Sequence, residues 1–71
     1  EILVEMEETP ELQAQFDALL QAHNGQVMES SLSRDEGYLR MEITAKLEPP
    51  ITHDEALAFM KDNSGVRKVS V

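Results

Sequence analysis

From Gly37 to Leu47 apolar and polar residues alternate without a break, Leu39, Met41, Ile43, Ala45 and Leu47 against Tyr38, Arg40, Glu42, Thr44 and Lys46. A period of two marks a strand with one dry face and one wet face. Its length, about ten residues, predicts a place in the middle of a sheet covered on one side by helices. Ile2 to Met6 has the same period, with Ile2, Val4 and Met6 on one face and Leu3 and Glu5 on the other. Between these strands the period changes. Leu12, Phe16, Leu19, Leu20 and His23 recur at three and four, which predicts a helix with Gln13, Gln15, Asp17 and Gln21 in water. Thr9 is its N-cap and Pro10 its first residue, with Glu7, Glu8 and Glu11 at the positive end of its dipole. Asn24-Gly25 ends it, with Gly25 expected in the left-handed conformation.

Gln26 to Arg34 reads as a weaker, half-exposed edge strand. Met28, Ser30 and Leu32 are expected toward the core, with Val27 and Ser31 competing for that side. Asp35-Glu36-Gly37 turns it into a hairpin with the long strand, and Glu48-Pro49-Pro50 stops that strand. Thr52 and Glu55 form a capping box, with Ile51 and Ala56 as a hydrophobic staple, and so open a second helix. Ala56, Leu57, Phe59 and Met60 are its expected buried face, Lys61 sits near its negative end, and Asn63-Ser64-Gly65 breaks it. Val66, Val69 and Val71 are the apolar positions of a last strand; their broken alternation implies a bulge or a twist near Arg67.

Strand, helix, strand, strand, helix, strand is the order of two split β-α-β units joined by a hairpin. Right-handed crossovers then give an α+β, ferredoxin-like sandwich, a four-stranded antiparallel sheet in the order 4-1-3-2 with both helices on one face. Residues 1–71 form one domain. Its open face is expected to carry Leu3, Glu5, Tyr38, Arg40, Glu42, Thr44, Lys46 and Lys68.

Composition narrows the partners. Fourteen acidic residues against six basic ones leave a net charge of −8, which repels phosphate backbones and anionic headgroups and disfavours nucleic acid and bare membrane as partners. Without cysteine there are neither disulfides nor thiolate ligands. No apolar run reaches the ~18–20 residues needed to span a bilayer. The chain opens directly on the apolar Ile2-Leu3-Val4, which reads as a domain excised from a longer protein whose remaining part could cross a membrane. A domain this small gains little net stability from its own core, so a protein partner or self-association is expected.

The candidate chemistry is sparse. Tyr38 alone on the open face is no stacking platform for RNA. His23, on the edge of the first helix's stripe, and His53, in the first turn of the second helix, have no second ligand at zinc spacing unless Asp54 or Glu55 is recruited, and are expected to be ordinary surface or half-buried histidines. Glu5, Glu7, Glu8 and Glu11 are dense in acid but lack the glycine turn and ligand spacing of a calcium loop. Met6, Met28, Met41 and Met60 read as core filler. No catalytic, cofactor-binding or metal-ligating residue is assigned and no cofactor is implied, so the expected role is non-enzymatic.

The skeleton EETPELQAQFDALLQAHNGQV, DEGYLRMEITAKL, the short capped helix and the closing GVRKVSV together resemble an ACT-like domain. More narrowly, they are similar to the C-terminal cytoplasmic domain of MgtC/SapB-type bacterial inner-membrane proteins. The heavy-metal-associated family shares the closing Gly65-Val66 and Val69 but needs paired cysteines. The resemblance implies a non-catalytic regulatory or interaction domain on the cytoplasmic side of the inner membrane, in a protein linked to magnesium homeostasis or virulence. The alternative that it implies is an amino-acid-sensing ACT module of a metabolic enzyme.

Overall fold

The computed structural model describes residues 1–71. Strand β1 (Ile2–Glu7) leads to helix α1 (Pro10–Ala22), then β2 (Gln26–Asp35), β3 (Tyr38–Lys46), helix α2 (His53–Asp62) and β4 (Val66–Ser70). The sheet is antiparallel in the order β2-β3-β1-β4, which is 4-1-3-2 read from the other edge. This is the ferredoxin-like topology, and the long alternating strand is central as its pattern requires.

The inner strands set the register for the rest. Ile2 pairs with Ile43, Val4 with Met41 and Met6 with Leu39, so the apolar sides of β1 and β3 form one surface beneath the helices. Ile2, Val4, Met6, Phe16, Leu20, Ile43, Ile51, Phe59 and Val66 are buried together there. The helices meet through Phe16 and Phe59, whose ring centroids lie 6.1 Å apart at a tilt of 59°, within the range of favourable aromatic pairs. The second helix buries Ala56 and Phe59 but leaves Leu57 46% exposed, so the expected buried face is narrower than its apolar residues. Val71 lies beyond β4 and is 49% exposed, again outside the core.

Local chemistry fixes the ends. The Thr9 hydroxyl accepts the Leu12 N–H at 3.2 Å, filling one of the donors that a helix start leaves open. At the other end of α1 the left-handed residue is Asn24, with φ of 53°, and not the expected Gly25. The Asn24 N–H donates to Gln21 and the Gly25 N–H to Leu20 at 2.8 Å, the paired bonds of a Schellman ending. Gly25 is required for closeness: a Cβ there would lie 2.8 Å from the Leu20 carbonyl oxygen and 3.2 Å from Leu47. In the hairpin Glu36 and Gly37 both have positive φ, 52° and 84°, the two-residue turn whose twist matches the strands it joins.

Both edge strands carry a bulge. In β4 the register with β1 shifts between Glu5 and Met6, so that Lys68 faces Glu5, Val66 faces Met6 and Arg67 is the extra residue, where the spacing of the valines placed it. In β2 the shift lies between Val27 and Glu29. Met28 is therefore the extra residue. Val27, Ser30 and Leu32 share the helix side, in place of the expected Met28, Ser30 and Leu32. Every residue of β2 is exposed, because the helices do not extend over this edge.

Ile43 sits at the centre of the buried face and Thr44 beside it points away. Ile43→Asp places a carboxylate among apolar side chains with no partner and is expected to abolish cooperative unfolding by circular dichroism. Thr44→Asp should unfold cooperatively with a loss of about 1 kcal/mol or less; the reverse ranking would mean that the faces are exchanged.

Candidate functional site

Three places gather the chain's polar chemistry or its uncovered apolar surface. The first is a junction at the end of α1. His23 is not a half-buried surface residue as expected but only 5% exposed. Its Nδ1–H donates to the Pro49 carbonyl at 2.6 Å and its Nε2–H to Glu55 Oε2 at 2.6 Å. A carbonyl and an ionised carboxylate only accept, whereas a neutral imidazole has a single N–H. Two such partners therefore require the histidinium. The Pro49 carbonyl raises the His23 pKa above its ordinary 6.5, burial opposes it, and Glu55 adds to the rise by hydrogen bond and by charge. Glu55 is held below its ordinary 4.5, first by the Thr52 backbone N–H; desolvation opposes this, and His23 and the Thr52 hydroxyl lower it further.

One carboxylate thus serves two purposes. Oε1 closes the capping box, receiving the Thr52 N–H at 3.3 Å and the Thr52 hydroxyl at 3.2 Å, while Oε2 receives the imidazolium. The Glu48 N–H donates to the His23 carbonyl at 2.7 Å, and the Asn24 side-chain amide donates to the Glu48 carbonyl at 2.8 Å. With both ring N–H groups engaged, His23 has no lone pair to offer a metal or a substrate proton. The junction's chemistry is attachment. His53 lies exposed in the first turn of α2, where the sequence placed it.

The second place is the open face of the sheet. Glu5 pairs across the strands with Arg40 and Lys68, and Leu3 with Glu42 and Ser70. The bulge swings Arg67 onto this face, where its Nε–H donates to Glu5 at 3.0 Å and its guanidinium carbon lies 4.0 Å from the centre of the Tyr38 ring, a cation–π stack. Arg40 reaches Glu42 at 3.6 Å. The acidic cluster is likewise divided among different neighbours. Glu5 holds Arg67, Glu8 holds Arg34 at 2.8 Å, and the Glu7 carboxylate lies against Gly65, where a Cβ would come within 3.1 Å of it. No group of three or more His, Asp or Glu side chains converges on a common point.

The third place is β2, at the sheet's edge. Val27, Met28 and Leu32 are each about half exposed. Between this strand and α1 lies a shallow opening lined by Phe16, Leu20, Val27, Ser30, Met41 and Ile43. Sequence reading located the edge strand but missed the opening. The available signal was the odd spacing from Val27 to Leu32, which puts the two on one face only if a bulge intervenes.

The junction makes stability depend on pH in two opposite senses. The His23 pKa is raised in the folded state, so its contribution is complete below the unfolded value near 6.5 and disappears as pH rises through the folded value. The Glu55 pKa is lowered, so its contribution is complete above about 4.5 and disappears as pH falls through the folded value. Urea midpoints measured from pH 3 to 9 are expected to peak between these limits. His23→Gln should flatten the alkaline flank, and an unaltered flank would remove His23 from the linkage. Comparison of the chain with family models and with curated proteins gives no match.

Proposed function

We propose that the domain is a non-catalytic regulatory or protein-interaction module. The observation that carries the reading is the contrast between its polar and apolar groups. Its histidinium and all three of its arginines are already held in intramolecular pairs, His23–Glu55, Arg34–Glu8, Arg40–Glu42 and Arg67–Glu5, which engage four of the fourteen acidic residues. Val27, Met28 and Leu32, by contrast, stand half exposed on an edge strand that the helices leave uncovered. Exposed apolar side chains grouped in this way mark contact surfaces. The parent protein in this reading is of the MgtC/SapB type, with the domain as its cytoplasmic tail at the bacterial inner membrane and a role in magnesium homeostasis or virulence. The apolar skeleton and the ferredoxin-like topology support that finer assignment. An amino-acid-sensing ACT module is the competing assignment.

Thermal unfolding in the presence of each of the twenty amino acids, and of Mg²⁺, separates the two. A ligand selective for the folded state at a hundred times its Kd adds about 2.7 kcal/mol, and in a domain of this size that moves the Tm by roughly 10–20 °C. No such shift is expected at millimolar concentrations; one for any amino acid would favour the sensing module. The contact reading also predicts that the fold does not need the Leu32 side chain. Leu32→Ser should change the unfolding free energy by no more than about 0.5 kcal/mol, and a loss above ~2 kcal/mol would assign the side chain to the core.

A further inference from the structure

The two edges of the sheet are unlike. β4 is five residues long, contains the Arg67 bulge and adds the cation Lys68, and these are the features by which proteins prevent an edge from pairing further. β2 is ten residues long and has neither proline nor lysine, and its bulge is confined to the end near Met28. From Glu29 to Asp35 its register with β3 is unbroken. In a two-residue hairpin the closing pair, here Asp35 with Tyr38, is of the hydrogen-bonded kind. Alternation from that pair directs the backbone groups of Ser33, Ser31 and Glu29 toward β3 and turns those of Ser30, Leu32 and Arg34 outward.

Resting on the interaction reading above, we propose that this edge accepts an extended segment of another protein as a fifth strand, apolar on the helix side and cationic on the open-face side. On the helix side the new strand would lie beside Val27, Ser30 and Leu32, next to the opening under α1, where Phe16, Leu20 and Met41 offer apolar neighbours alongside Gln13 and Asp17. On the other side β2 presents Glu29 and Asp35 around Ser31 and Ser33. The one cation in β2, Arg34, is on the helix side and bonded to Glu8; one strand in, Arg40 is turned toward Glu42, and Lys46 lies opposite Gln26 at the far end of the strand. The open-face rim of the edge is therefore acidic, on a chain whose net charge is −8. A second copy would return Glu29 and Asp35 to the same face and bring like charge to like. A cationic partner meets no such opposition.

The test uses the ¹⁵N-labelled domain and a synthetic peptide of alternating valine and lysine with blocked ends. Binding should slow amide exchange at Ser30, Leu32 and Arg34 by about tenfold or more and leave Ser31 and Ser33 unchanged. N-methylation of the valines, whose N–H groups face the edge, should weaken binding by about tenfold. N-methylation of the lysines should not, and a valine–glutamate peptide should fail to bind. Absence of binding at millimolar peptide overturns the proposal. Binding without protection at those three amides overturns the edge and leaves the interaction reading standing. Equal binding of the acidic peptide overturns the charge preference. Protection that grows with domain concentration in the absence of peptide assigns the edge to a second copy and overturns the choice of occupant. The interaction reading itself falls by a separate result, the stabilisation by an amino acid described above.

Discussion

A buried histidinium joins the two halves of this fold. His23 ends the first helix, Pro49 belongs to the connection that leaves β3, and Glu55 lies in the first turn of the second helix, so one imidazole ring joins segments from both β-α-β units. A charge at 5% exposure is tolerable only when it is fully hydrogen-bonded, because an unpaired one would forfeit its hydration with nothing in return. That requirement constrains the surroundings. The Pro49 carbonyl must point inward, Glu55 must be ionised, and the close turn at Asn24 and Gly25 must bring the Glu48 backbone against the helix end. The partly exposed Glu55 keeps one side in water, which lowers the cost of holding its charge there.

The sheet follows a second constraint, the pairing of two regular inner strands with two irregular outer ones. β1 and β3 alternate without interruption and present a continuous apolar surface. Each outer strand has one residue too many, and the bulge restores its later residues to the correct face. In β4 the extra residue is Arg67, and the bulge brings its guanidinium to Glu5 and the Tyr38 ring, closing one end of the open face. In β2 the extra residue is Met28, which is left exposed with Val27 and Leu32 beyond the reach of the helices.

These two constraints bear on function through what they use up. The junction consumes both nitrogens of the buried histidine, and the open face pairs its arginines with acids. Three of the five half-exposed apolar side chains, Val27, Met28 and Leu32, lie with the outward-turned backbone on β2, at the edge opposite the short, cationic β4; Leu57 and Val71 lie apart from them. A contact role and a fifth strand both use that asymmetry. They need no reaction and no bound group, only a surface that is neither packed nor internally satisfied.

Much of this was legible in the amino-acid order. The period of two in β1 and β3, the period of three to four in α1, the Thr9-Pro10 start, the Thr52–Glu55 box and the Val66–Val69 spacing are local patterns, and local sterics and hydrogen bonding are enough to enforce them. They determined the element order, the central strand, the inward residues of the inner strands and the bulge at Arg67. Other features had no local signal or a misleading one. Asn and Gly in succession can both end a helix, and only the close approach of Leu20 and Leu47 decided that Gly25 fills the tight position while Asn24 takes the positive φ. Leu57 and Val71 are as apolar as residues that are buried, and only the placement of the layers left them outside. The His23–Glu55 pair, the uncovered face of β2 and the reach of Arg67 to Tyr38 were decided by tertiary structure alone. Each depends on residues far apart in the chain, and no short-range pattern records which distant side chains will meet.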